Sequence, residues 1–185
     1  MPTDMHASPV ALFHDWHDFY LILGAAGATL VGLMFVAASI GATIFNKDHL
    51  APMRAFITPS VVHFGAVLFA SLTITVPTHT WRSLAALLGA GALAGSIYCT
   101  RISLEVVIRR KFNVDWSDRL FYAIIPLVGY LLGLIAAALL LAQSAASPNV
   151  IAAALLTLLL AGIRNAWDMT VWAVVRSPTT GDPSP

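Results

Sequence analysis

The sequence predicts an all-α membrane protein, a polytopic bundle of five transmembrane helices with its N-terminus outside and its C-terminus inside. Composition, the lengths of the apolar runs and the placement of basic residues carry that prediction. Of 185 residues, 58% are hydrophobic and only 10% are charged, with a mean hydropathy of +0.81. A soluble domain carries about 25% charged residues, so water is not the main solvent of this chain. The net charge of +1 says little by itself; the positions of the ten basic residues say more.

Five apolar runs follow in order: 19–45, 55–76, 83–100, 120–142 and 150–175. Each is long enough to cross a bilayer as a helix rising about 1.5 Å per residue, the conformation that satisfies every backbone polar group within its own segment. The third run is the shortest and the fifth the most polar. Residues 1–18 form an outer segment, read as an interfacial entry helix with Phe13, Trp16 and Phe19 toward lipid. Residues 177–185, rich in Pro, Ser and Thr, read as a disordered tail. The N-terminus lacks the basic stretch of a cleavable signal, and none is expected.

Orientation follows from the loops, because Lys and Arg collect on the cytoplasmic side. With the N-terminus outside, Lys47, Arg54, Arg101, Arg109, Arg110, Lys111, Arg119 and Arg176 fall inside and Arg82 alone falls outside, with Arg164 left within a span. Trp16, Tyr20 and Trp81 then lie at the outer boundary and Tyr98, Tyr122 and Trp172 near the inner one, as an aromatic belt requires. Arg101, Glu105 and Arg109 recur at helical intervals, so the third helix is expected to run on past the hydrocarbon. Asp115 and Ser117 can cap the fourth helix. Pro59 and Pro126 are expected to bend their helices.

Small residues recur every four positions as Gly24, Ala28 and Gly32 in the first span, Gly91 and Gly95 in the third, and Gly129 and Gly133 in the fourth. Such faces let helix backbones approach closely where lipid tails supply no hydrophobic drive for association. They serve either packing within one bundle or a homo-oligomer built on the first span. Cys99 stands alone, so no internal disulfide can form, and it reads as a buried small hydrophobe.

Charges inside a span are costly and call for a partner or a purpose. Arg164 and Asp168 are four residues apart and can pair along one helix face; Asn165 lies between them, and His63 of the second span comes to a similar depth. His63, Arg164, Asn165 and Asp168 therefore form the candidate intramembrane cluster. It serves either an ion, proton or anion path or a buried ion pair that fixes helix register. A second group, His14, His17 and His79 with Asp15 and Asp18, would lie at the outer face. Imidazole and carboxylate together suit a transition metal, but no metal signature is present.

The run Gly27-Ala28-Thr29-Leu30-Val31-Gly32-Leu33-Met34-Phe35-Val36-Ala37-Ala38-Ser39 resembles the first helix of small bacterial inner-membrane proteins of unknown function. Ile163-Arg164-Asn165-Ala166-Trp167-Asp168 is similar to their last helix. The resemblance would cover most of the chain and implies the bacterial inner membrane; some such proteins are labelled modulators of a membrane protease. It brings no catalytic residues with it.

No Walker loop, dinucleotide fingerprint, nucleophile elbow, HExxH or paired CxxC occurs, so enzymatic chemistry, a cofactor and a nucleic-acid partner are not expected. Membrane lipid and either a second copy or another membrane protein are the expected partners. Three functions remain: an oligomeric small channel or transporter component, a non-catalytic interaction or regulatory subunit, and an outer-face metal-binding protein.

Overall fold

The computed structural model describes residues 9–44, 50–108 and 124–175, and among them there are helices and short turns but no strands. Among the described residues six α-helices follow in order: α1 Pro9–Phe13, α2 His17–Ile44, α3 Leu50–Thr75, α4 Trp81–Ile108, α5 Ile125–Leu141 and α6 Ser147–Val175, with a 3-10 turn at His14–Trp16 joining α1 to α2. Four segments, Pro9–Ile40, Thr58–Thr75, Trp81–Ile102 and Ser147–Asp168, are long and apolar enough to cross a membrane. The described part of α5 has 17 residues, about 26 Å of helix. The predicted fourth span begins earlier, at residue 120, and residues 120–123 lie outside the described residues.

The helices do not pack as an even cluster. α3 packs against α6, α6 against α5 and α5 against α4, whereas α3 and α4, although consecutive, touch only slightly. This open ring has its gap between α3 and α4. α2 stands outside the ring and packs along α3. We call the end that holds α1, the 76–80 turn and the start of α6 proximal, and the other end distal.

Small residues set the close contacts. A Cβ added at Gly24 would lie 2.9 Å from Ser71 Cβ, and one at Gly133 would lie 3.0 Å from Ala92 Cβ. Gly129 receives Leu158, and Gly91 sits beside the Phe69 ring. Ala28 is exposed and Gly32 has open space around it, so the first-span stripe splits: Gly24 packs on α3 and the other two face away from the bundle.

The proximal end is held by local chemistry. Tyr20 is fully buried and donates its hydroxyl to the Pro148 carbonyl at 2.6 Å, tying the start of α2 to the start of α6. Phe13 packs its ring 5.8 Å from that of Tyr20 and is buried rather than turned to lipid, because it joins the aromatic cluster at the start of α2. Thr80 caps α4: its Oγ1 accepts from the Ser83 N–H, while Ser83 Oγ accepts from the Thr80 N–H, a reciprocal arrangement that satisfies two helix-end donors. α5 closes with Gln143 at φ 52°, and the Ser144 N–H reaches the Leu139 carbonyl. This is a left-handed cap of the kind that usually takes glycine.

α3 runs through Pro59 without a break. Pro126 lies in the first turn of the described α5, where a missing N–H breaks no helical bond. α4 extends to Ile108 and so carries Arg101 beyond the apolar stretch. Lys47, Arg109, Arg110, Lys111, Asp115, Ser117, Arg119, Tyr122, Arg176 and the predicted tail lie outside the described residues, as do the side chains of Arg54, Glu105 and Trp172.

The outer surface is apolar. Leu33, Phe35 and Val36 of α2, Ile135 of α5 and Leu160 and Trp167 of α6 are all more than half exposed. So much exposed hydrocarbon is a liability in water and a match for lipid. The hydroxyls of Thr29, Ser39, Thr73, Ser96 and Thr157 each donate to the carbonyl four residues before, the local bond that lets a hydroxyl sit in a helix without outside partners. These features fit an integral membrane protein.

Candidate polar site in the helix bundle

His63 lies near the middle of α3 and is 1% exposed. Its Nδ1 is 3.0 Å from the Tyr130 hydroxyl, which reaches it from α5. Tyr130 can make that reach because α4 offers no side chain at Gly95. A Cβ there would stand 2.1 Å from the Tyr130 ring. Gly162 of α6 does the same for Phe64, whose ring would meet an added Cβ at 2.5 Å. Two glycines on different helices thus admit the two aromatic rings that flank His63.

The second nitrogen, His63 Nε2, has no hydrogen-bond partner among the described residues, and neither does the amide oxygen or nitrogen of Asn165. Asn165 is completely buried and Ser60 nearly so. α3 and α6 run antiparallel with Phe64 against Gly162, so one turn toward the distal end brings Ser60 and Asn165 to a common level. A buried polar atom left unpaired costs about 1–3 kcal/mol, and three such atoms gather in one short stretch of the α3–α6 contact. Such atoms need an explanation beyond helix packing.

Arg164 and Asp168 lie on the flank of α6 beside Asn165. The Arg164 guanidinium donates through Nη1 to Asp168 Oδ1, and both side chains are partly exposed on the helix flank. Successive residues of a helix point about 100° apart, which carries Asn165 into the core and leaves Arg164 outside it. The four residues read as one cluster from the sequence therefore occupy two places. His63 and Asn165 lie inside the bundle, with Tyr130 as the hydrogen-bond partner of His63, while Arg164 and Asp168 pair on its flank.

Tyr130 is a residue of the candidate site that the sequence-based expectations omit. Its signal was available: a tyrosine in mid-helix, buried among Gly, Ala and Leu, must find a partner for its hydroxyl. Cys99 is 2% exposed on α4, in keeping with a small buried side chain.

Two cavities lie along the bundle. The proximal one, about 620 Å³, is rimmed by His14, Asp15, His17, Asp18 and His79 and floored by Ile74 and Leu84. His14 Nδ1 sits 3.4 Å from Asp15 and His79 Nδ1 3.2 Å from Ser83 Oγ. The three histidines share that rim, yet among the described residues no three His, Cys, Asp or Glu side chains come together closely enough to hold a metal ion. The second cavity, about 450 Å³, lies inside the ring of α3, α4, α5 and α6. Its proximal end is marked by Ala70 and Leu88, one helical turn or about 6 Å from Ile74 and Leu84. Its distal end is marked by Tyr98 and Tyr130. No family model, no curated protein and no solved structure matches this chain.

Proposed function

We propose that this is a bacterial inner-membrane protein, N-terminus outside, that works as a small channel or transporter component, passing a small solute along the axis of its own bundle. The stacking of the two cavities carries this reading. A vestibule with an ionisable rim stands over the chamber inside the ring, with the buried Ile74, Leu84, Ala70 and Leu88 between them. Apolar constrictions of that kind close a path by excluding water and open when the side chains part. At the far end of the chamber Tyr130, bonded behind the wall to the buried His63, can exchange hydrogen bonds with whatever arrives, and Asn165 lies one turn beyond His63. The eight-to-one bias of basic residues supports an outward-facing vestibule.

Purified protein in liposomes, assayed against a panel of protons, alkali cations, chloride and uncharged solutes, should pass at least one of them. Replacing His63 with alanine should then cut that flux about tenfold, the equivalent of one buried hydrogen bond lost from the path. Wild-type protein that passes none of the panel would sink the reading.

A separate observation favours a second role, as a subunit in a larger membrane assembly or homo-oligomer. α2 packs mainly along α3, and Ala28 and Gly32 present small residues away from the bundle, the kind of surface on which membrane helices dock. A Gly32→Cys variant treated with a thiol crosslinker in native membranes should yield a defined band, either a dimer of this chain or a stoichiometric partner. Modification by the reagent without any crosslinked band would remove this role.

A further inference from the structure

The chamber inside the ring has a chemistry that specifies an occupant. Apart from Tyr98 and Tyr130, every residue that lines it is Gly, Ala, Val, Leu, Ile or Phe, and none carries a charge. The two tyrosines stand at the distal end and the aliphatic wall extends proximally from them, so the space is polar at one end and apolar along its length. At about 450 Å³ it falls within the roughly 300–1,000 Å³ of ordinary small-molecule sites. It also opens sideways. α3 and α4 touch only slightly, where the Phe69 ring lies beside Gly91, and Phe69 and Ala94 on their facing edges are exposed, with Gly65, Gly91 and Tyr98 half-buried beside them. In a bilayer this slot faces hydrocarbon.

Depth narrows the class further. His63, bonded to Tyr130, is 13 residues from Leu50 and 12 from Thr75 in α3, which places the polar end of the chamber about 18–20 Å from either end of that helix. An ionic or zwitterionic headgroup cannot be left at that depth without charged partners, and the chamber has none. An uncharged head with a hydrogen-bonding oxygen can be left there. The Tyr130 hydroxyl is well suited to meet it, because a His63 that donates from Nδ1 leaves the phenolic proton free for another acceptor.

We infer that the chamber binds an uncharged, lipid-soluble amphiphile that enters from the bilayer between α3 and α4, its aliphatic part along the glycine and alanine walls and its single oxygen-bearing head at Tyr98 and Tyr130. This names the class of cargo and rests on the transport reading only in calling the molecule cargo; the binding site stands on its own geometry.

The probe is a long-chain alcohol bearing a photoreactive diazirine, added to the full-length protein in nanodiscs, with labelled positions mapped by mass spectrometry. Saturable labelling on α3 and α4 around Gly65, Phe69 and Ala94, competed by the unlabelled alcohol, is the expected result. Gly65 has no atom within 4 Å of an added Cβ, so Gly65→Leu grows into the chamber without a first-atom clash. It should reduce that labelling about tenfold while leaving labelling of Leu33 and Phe35 on α2 unchanged. Ala94→Trp should do the same from the facing edge, and Tyr130→Phe should weaken competition about threefold to tenfold by removing one hydrogen bond.

Even, unsaturable labelling of all lipid-facing residues would overturn the inference. So would equal labelling of the chamber by a diazirine phosphatidylcholine, which would make the occupant an ordinary phospholipid tail, or crosslinking of the slot to a second copy of the chain. Saturable binding without flux of any solute would remove the transport reading and leave the site, and flux that persists unchanged in Gly65→Leu without saturable binding would do the reverse.

Discussion

Replacing Gly95 with alanine should destabilise the bundle by about 2–6 kcal/mol, read as a large fall in its thermal midpoint in detergent. The added Cβ would lie 2.1, 2.3 and 2.5 Å from three carbons of the Tyr130 ring, and that buried ring could yield only by swinging into the chamber it lines, away from His63. Overpacking alone costs about 1–3 kcal/mol. Displacing the ring also breaks the bond to His63 Nδ1, which leaves both imidazole nitrogens buried without a partner and adds about 1–3 kcal/mol. Gly162→Ala separates the two contributions. It clashes with the Phe64 ring, which holds no hydrogen bond, so it should cost the overpacking part alone. Gly32→Ala meets nothing and should be neutral or stabilising by up to about 1 kcal/mol through helix propensity. Combining Gly95→Ala with Tyr130→Leu should cost less than the sum of the two single changes, because the clash and the lost bond share one cause. A Gly95→Ala protein as stable as Gly32→Ala would show that the ring is not held as described.

That contrast between Gly95 and Gly32 also marks how far the sequence could be read. Apolar run length determines that a segment is a helix, and each of the five runs holds one. It does not determine which face of a helix meets which neighbour. A membrane helix is apolar on nearly every side, so periodicity, which in a soluble protein points to the core, has little to point with here. The four-residue spacing of glycines marked places of close approach but not what approaches. Gly24 and Gly133 meet side chains of neighbouring helices, Gly95 admits an aromatic ring, and Gly32 meets nothing.

The candidate site was legible in parts for the same reason. Arg164 and Asp168 pair along one helix, and a four-residue offset is enough to foresee that. His63 bonds across two helices to a residue 67 positions away, and no local pattern contains such a contact. Tyrosines near span ends form a belt that the sequence shows, but Tyr130 lies in the interior, where no belt pattern includes it. Asn165 adjoins its charged neighbours in the chain, although helical rotation turns it into the core. The chamber depends on α3 and α4 standing apart, and a connection as short as the 76–80 turn gives no hint of that gap.

Removing one charge of the Arg164–Asp168 pair should cost more than removing both. Both side chains sit on the flank of α6, with Arg164 about 16 Å and Asp168 about 10 Å from the end of the helix at Val175. Their 40% and 25% exposure is therefore largely exposure to lipid rather than to water, and an unpaired charge there costs about 2–3 kcal/mol by insertion scales. Asp168→Leu leaves Arg164 without its carboxylate and should lower stability by that amount, softened where the long arginine stem bends toward the headgroups. Arg164→Leu leaves the carboxylate and should also destabilise. The double replacement by leucine removes both charges and should recover most of the loss or exceed wild type, because two apolar side chains on a lipid-facing flank need no partner. Thermal unfolding of the four proteins in detergent gives the coupling directly. Additive losses would mean that the charges do not depend on one another. Recovery of stability without a change in flux would confine the pair to neutralising itself, with the chemistry of the bundle left to His63, Tyr130 and Asn165; recovery of stability with flux abolished would instead make the flank of α6 part of the path.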